Sequence, residues 1–182
     1  GTKLLYSAPL DLTFTSASGA GTIDFTDTIT DIIEFREQLI IFSKSKIKRV
    51  SGGFTGNFVL ESVSDDMGCI AEDTAKEVAG DVIFLGPDGL RTLGGTERIG
   101  DFNLALISRN IQREVTKFTD TFTNYTSLVI RGKSQYRIFA YQSAIPPASS
   151  SGLLATQTDN GFSWAELRGF KVHVAHSEYK SI

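Results

Sequence analysis

Apolar residues in this chain come in short runs broken by polar or glycine-bearing turns, the pattern of buried strands in a β-rich fold. The stretch 39–52 (LIIFSKSKIKRVSG) runs from Leu39 to Phe42, turns through polar residues, resumes as Ile47-Lys48-Arg49-Val50 and ends at Ser51-Gly52. The stretch 82–95 (VIFLGPDGLRTLGG) has the same layout, with Val82-Ile83-Phe84 answering Ile40-Ile41-Phe42 and Gly94-Gly95 answering Ser51-Gly52. Each predicts a hairpin of a buried strand and a second strand that carries outward Lys or Arg. The overlay leaves one residue of slack in the turn and sets Ile83 42 residues after Ile41. That interval lies within the roughly 40–50 residues expected when each repeat supplies one small antiparallel sheet of a β-propeller. A weaker third copy occupies 128–141 (LVIRGKSQYRIFAY).

Around these hairpins the pattern predicts whole sheet units. Residues 32–35, 39–43, 47–50 and 58–63 read as one four-stranded antiparallel blade. A second unit uses 74–78, 82–85 and 90–93, with Pro87 pre-setting φ in its corner and Gly89 free to take positive φ. The period then changes. Leu104, Ile107, Ile111, Val115 and Phe118 recur every three or four residues and predict an amphipathic helix near 108–118, with Ser108 as its cap. Strands return at 127–131, 136–141, 153–156 and 162–167, interrupted by an exposed loop at 146–152 (PPASSSG), and 172–174 read as the start of a fourth unit. The expected class is therefore mainly β, with about three and a fraction propeller-like blades. Residues 1–31 are a loop-rich lead-in or a preceding blade, and 32–182 a propeller portion incomplete at its C-terminus.

Composition fits this class. Thirteen Phe and 17 Gly against one Trp and four Pro suit many short strands joined by glycine turns. A net charge of -3 argues against sequence-independent grip on nucleic acid. The local exception is Lys44, Lys46, Lys48 and Arg49, read as a solvated sheet edge. The single Cys69 excludes an internal disulfide and reads as a small buried hydrophobe. With no apolar run near the roughly 20 residues needed to span a bilayer, and no signal-peptide layout, the expectation is a soluble protein.

Catalytic patterns are missing. His173 and His176 lie in an apolar, strand-like stretch and would face opposite sides. Gly132-Lys133-Ser134 lacks the upstream glycine of a phosphate loop, since position 127 is Ser, and has strands on both sides where that loop needs a helix. Gly52-Gly53-Phe54-Thr55-Gly56 and Gly94-Gly95-Thr96 read as strand-ending turns. The acids Asp65-Asp66, Glu72-Asp73 and Asp24, Asp27, Asp31 read as turn residues, neither a glycosidase pair nor an EF-hand loop. No catalytic, cofactor-binding or metal-binding residue is expected, and no enzyme.

Several stretches carry a family resemblance: 39–52, Gly68-Cys69-Ile70-Ala71, 78–85 (VAGDVIFL) with Asp88-Gly89-Leu90-Arg91, Arg98-Ile99-Gly100-Asp101, 107–112, Ser134-Gln135-Tyr136-Arg137 and 164–169 (WAELRG). Through them the chain, from 34 to about 178, resembles the β-propeller tail proteins of tailed bacteriophages, the nozzle or tail-tubular type of short-tailed and marine cyanobacterial phages. The resemblance implies a virion structural protein that assembles in the host cytoplasm as a homo-oligomer with other tail proteins around the DNA passage, without specific DNA binding, cofactor or turnover. A second expectation is a receptor- or glycan-binding propeller, its partner a host-surface glycan stacked on Trp164, Tyr136 or Tyr141.

Overall fold

The computed structural model describes residues 1–8, 10–52, 58–97, 106–142 and 149–177. Strands β1 (Lys3–Tyr6) and β2 (Gly21–Asp24) form a hairpin. Sheet I follows as the meander β3 (Ile29–Phe35), β4 (Gln38–Ser43), β5 (Ile47–Gly52) and β6 (Phe58–Ser64). Sheet II holds β7 (Lys76–Val78), β8 (Asp81–Gly86) and β9 (Gly89–Thr92). Sheet III is β10 (Asn124–Ile130), β11 (Gln135–Tyr141), β12 (Ser150–Thr158) and β13 (Gly161–Leu167). Every pairing within the sheets is antiparallel, and each strand lies beside its sequence neighbour. The fold is mainly β, built of antiparallel sheets with few helices, as the apolar runs imply.

The sheets stack face to face, and strand alternation shows how. In β4, Leu39 and Ile41 turn toward the β1–β2 hairpin, where they cluster with Phe25 and Val50, while Ile40 and Phe42 turn toward sheet II. In β8, Val82 and Phe84 meet sheet I, and Ile83 and Leu85 meet sheet III. The Phe42 and Phe84 rings touch across the first interface with centroids 5.0 Å apart. Sheet II is thus buried on both faces, which is why Val82 to Leu85 form an unbroken apolar run.

The same alternation corrects the register of the repeat. Phe42 pairs with Ile47 around the turn that follows Ser43, and Leu85 pairs with Leu90 around Pro87-Asp88, so Gly86 stands where Ser43 stands and the interval is 43 residues. The turns before β4 and β8 agree, because Ala79-Gly80 follow Arg36-Glu37 at the same interval. The expected overlay of Ile40 on Val82 pairs residues that face opposite ways. A one-residue slip exchanges the two faces of a strand, and the 43-residue register needs no slack in the turn. In sheet III, Ile138 faces sheet II as Val82 and Phe84 face sheet I.

Sheet II has three strands, close to the 74–78, 82–85 and 90–93 expected, and a single bridge from Arg91 to Leu106 lies beyond β9, with Ile107 N–H donating to the Leu90 carbonyl at 3.0 Å. Further differences from the sequence reading have local causes. Gly94-Gly95-Thr96 do not end a strand but lie in a short helix, α1 (Leu93–Glu97), tied by Gly94 N–H to Asp81 Oδ1 at 3.0 Å. The amphipathic helix is α2 (Gln112–Thr121), preceded by a 3-10 turn at Arg109–Ile111, and it buries Val115 and Phe118. Ser108 does not cap it. Its Oγ instead accepts from Leu90 N–H at 3.1 Å, holding the helix entry against β9. Ser150, Ser151 and Gly152, expected in a loop, begin β12, whereas 146–148 lie outside the described residues, as do Gly53 to Gly56 and Arg98 to Asp101. Residues 172–174 form no strand; they cross the outer face of sheet III, where Ala175 N–H donates to Thr126 Oγ1 at 3.2 Å.

The turn joining β3 to β4 places Arg36 and Glu37 at φ 51 and 62. This left-handed pair suits the strand twist but disfavours residues with a Cβ. Arg36 is engaged there, its Nη2 donating to the Gly80 carbonyl at 2.9 Å in the matching turn of sheet II. Glu37 makes no comparable contact among the described residues. Glu37→Gly is expected to stabilise the fold by about 0.5–1 kcal/mol, the relief of the left-handed penalty less the added chain entropy of glycine. A thermal melt should then rise by roughly 2 °C.

Candidate functional site

Polar groups concentrate where the first strands of the three sheets approach one another. Asp31 on β3 accepts from its neighbour Ile32 N–H at 2.9 Å and from Ala75 N–H of the segment entering sheet II at 3.0 Å. Thr30 donates to the Cys69 carbonyl at 2.8 Å. Asp73, held in the left-handed region at φ 57, accepts from Thr126 Oγ1 at 2.7 Å, and its carbonyl accepts from Ser127 Oγ at 2.6 Å. Tyr136, fully buried, donates to the Thr74 carbonyl at 2.8 Å. These bonds pin sheet I to sheet II and sheet II to sheet III.

The ionisable groups of the seam are buried and hydrogen-bonded. Burial pushes the Cys69 thiol above its usual range, and it rests 3.1 Å from both the Ala71 carbonyl and Thr74 Oγ1. Burial also pushes the Tyr136 phenol well up. Asp31 is raised as well, its desolvation outweighing the hydrogen bond from Ala75 and the nearby Lys76 ammonium. An acid with a raised folded pKa contributes stability that is fully present below its unfolded value near 3.8 and is lost as pH rises through the folded value. The Asp31→Asn variant is expected to flatten this part of the pH–stability profile. Urea titrations of both proteins from weakly acidic to neutral pH measure the difference in slope.

Above the seam, at the end of the molecule where the chain enters β3, β7 and β10, lies an open cleft of about 390 Å³. Sheet I supplies Thr28, Thr30 and Lys44; the entry to sheet II supplies Ile70, Ala71 and Glu72; sheet III supplies Thr123, Asn124, Tyr125 and Tyr141. Both tyrosine rings are fixed in place. Tyr125 packs on Phe118 at 5.7 Å and donates its hydroxyl to the Phe122 carbonyl at 2.6 Å, and Tyr141 rests against the His173 ring at 4.6 Å. Lys44 and Glu72 are exposed and make no ion pair among the described residues.

The residues singled out by sequence fall largely outside this cleft. In the basic run, Arg49 pairs with Glu61 at 2.6 Å and Glu97 at 3.5 Å, Lys48 lies over the Phe25 ring, and Lys46 reaches Thr26. The run does not mark a sheet edge, because β5 lies between β4 and β6. Asp27 binds both the amide and the hydroxyl of Ser45 at 2.8 Å, and Asp24 pairs with Lys3 at 3.3 Å. Among the described residues no cluster of His, Cys, Asp and Glu could hold a metal ion. Among the described residues no helix is long and apolar enough to cross a membrane. Of the aromatics expected to stack on sugar, Tyr136 is buried and Trp164 is a half-buried part of the core whose indole N–H donates to the Ile107 carbonyl at 3.1 Å. Tyr141 alone of the three lines the cleft.

Thr28, Thr30, Glu72, Asn124 and Tyr125 carry no motif that sequence could show, since they come from three separated stretches. Their common signal is place: most sit just before, or at the start of, the first strand of a sheet. No protein-family model matches the chain, and no curated protein matches it.

Proposed function

We propose that this chain is a structural, non-catalytic component of a bacteriophage tail of the nozzle type, in which propeller-like sheets form part of an oligomeric wall around the DNA passage. The observation that carries this reading is the 43-residue register between the hairpins of sheets I and II, together with the burial of both faces of sheet II. A stack of like sheets, joined through dry faces and pinned by buried polar bonds, is stiff and extends by repetition. Those are the properties of a scaffold. The net charge of -3 suits a passage wall, because a wall rich in cations would hold DNA phosphates instead of letting them slide.

Mass photometry of the full-length protein, with peptide mass spectrometry and cryo-EM of purified particles, tests the proposal. A defined homo-oligomer, and peptides of this chain in the particle at the tail, are the expected results. A protein that stays monomeric at high concentration and is absent from particles would overturn the assignment.

A further inference from the structure

The cleft bounded by the three sheets has a chemistry that the scaffold role leaves unused. Its ionisable walls balance, with one ammonium from Lys44 and one carboxylate from Glu72, so it has no excess charge to select a phosphate or a metal cation. The remaining polar groups are hydroxyls and an amide: Thr28, with Thr123 accepting from the Asn124 amide at 3.1 Å and Thr30 committed to the Phe42 and Cys69 carbonyls. Two aromatic rings complete the lining, each fixed by a neighbour before any ligand arrives. A volume of about 390 Å³ lies in the range of small-molecule sites.

We propose that this cleft binds a neutral saccharide one to two sugar units long, with the apolar face of a sugar ring on Tyr141 and its hydroxyls bonded to Glu72, Lys44 and Thr28. Charge balance favours a ligand whose groups both donate and accept, as sugar hydroxyls do, over an ion that satisfies one kind only. The aromatic wall accounts for a sugar over a more uniformly polar ligand, because the C–H face of a pyranose is the apolar part of an otherwise hydroxylated molecule. Among the described residues of the lining Glu72 is the one carboxylate, where glycoside hydrolysis needs a pair, so the role proposed is binding.

The test is two-dimensional NMR of the full chain titrated with cellobiose, maltose, lactose and chitobiose, and separately with inorganic phosphate. At least one disaccharide is expected to shift the amide signals of Glu72, Asn124 and Tyr141 at concentrations up to about 10 mM, and phosphate is not. Tyr141→Ala should weaken that binding by about tenfold or more. Because Tyr141→Ala also removes the His173 contact, E72Q and K44M at exposed positions serve as variants that leave packing alone, and each should weaken binding severalfold with an unchanged melting temperature. The proposal is overturned if none of the four disaccharides perturbs these residues, if phosphate perturbs them more strongly, or if E72Q and K44M both bind like the parent. These outcomes are independent of oligomeric state, so they stand apart from the test of the tail assignment.

Discussion

Phe84→Ala is expected to lower the stability of the fold by about 4 kcal/mol, the usual cost of removing a fully buried phenylalanine and leaving its cavity. Phe84 is inaccessible to solvent and stands at the centre of the interface between sheets I and II, with its ring on Phe42 and with Ile40, Ile47, Val82 and Leu93 around it. The loss is larger than that of a side chain on one sheet's own surface, because Phe84 packs within the apolar core that sheets I and II share. In a thermal melt this corresponds to a fall of roughly 10 °C. Leu5→Ala, at a position 58% exposed on β1, should change stability by no more than about 0.5 kcal/mol. Urea unfolding of both variants measures the contrast.

Gly68→Ala is expected to cost about 3 kcal/mol by the opposite mechanism, overpacking. A Cβ at this position would lie 2.0 Å from the Ser43 carbonyl oxygen and 2.7 Å from the Lys46 backbone nitrogen. The obstruction is backbone, which cannot swing aside as the end of a side chain can. Gly68 leads the chain out of sheet I, and the next residue locks the path, with Cys69 N–H donating to that same Ser43 carbonyl at 2.8 Å. The variant must therefore open the β4–β5 turn or lose this bond. Gly132→Ala is the matched control, since a Cβ there meets nothing within 4 Å, and it should be neutral or slightly stabilising. Hydrogen exchange gives the distinguishing readout: Gly68→Ala should speed exchange at Cys69 and Lys46, and Gly132→Ala should leave both unchanged.

The sheets were legible in the sequence because their turns announce themselves. Pro87 and Gly89 mark one corner, and the apolar runs on either side of it are the length of strands. The register was not legible, and the reason lies in β8. Where both faces of a strand are buried, Val82, Ile83, Phe84 and Leu85 are all apolar, so the alternation that would distinguish a 42-residue from a 43-residue interval is missing. Turn pairing supplies that information only in three dimensions. Helix α2 was legible from the spacing of Ile111, Val115 and Phe118. The role of Ser108 was not, because a hydroxyl that could cap a helix can equally accept from a strand 18 residues away.

The candidate site was the least legible part. Tyr136 and Tyr141 stand on one strand and differ in sequence only by position, yet five residues along a strand is an odd interval and sends them to opposite faces. One is sealed between sheets II and III; the other lines a cleft. Glu72 and Asp73 read alike as adjacent turn acids. In the fold Asp73 is bound by Lys76 and Thr126, and Glu72 is left facing open space. Such distinctions arise from which sheet lies next to which, and no local pattern encodes them.

Face-to-face stacking in the 43-residue register is tested most directly by nuclear Overhauser contacts in protein labelled at Ile, Leu, Val and Phe. The account predicts cross-peaks between the Phe42 and Phe84 rings, and between the Ile83 methyls and the side chains of Ile138 or Leu153, with none between Ile83 and Phe42. Cross-peaks joining Ile83 to Phe42, with Phe84 instead contacting Ile138, would place β8 in the slipped register and contradict it.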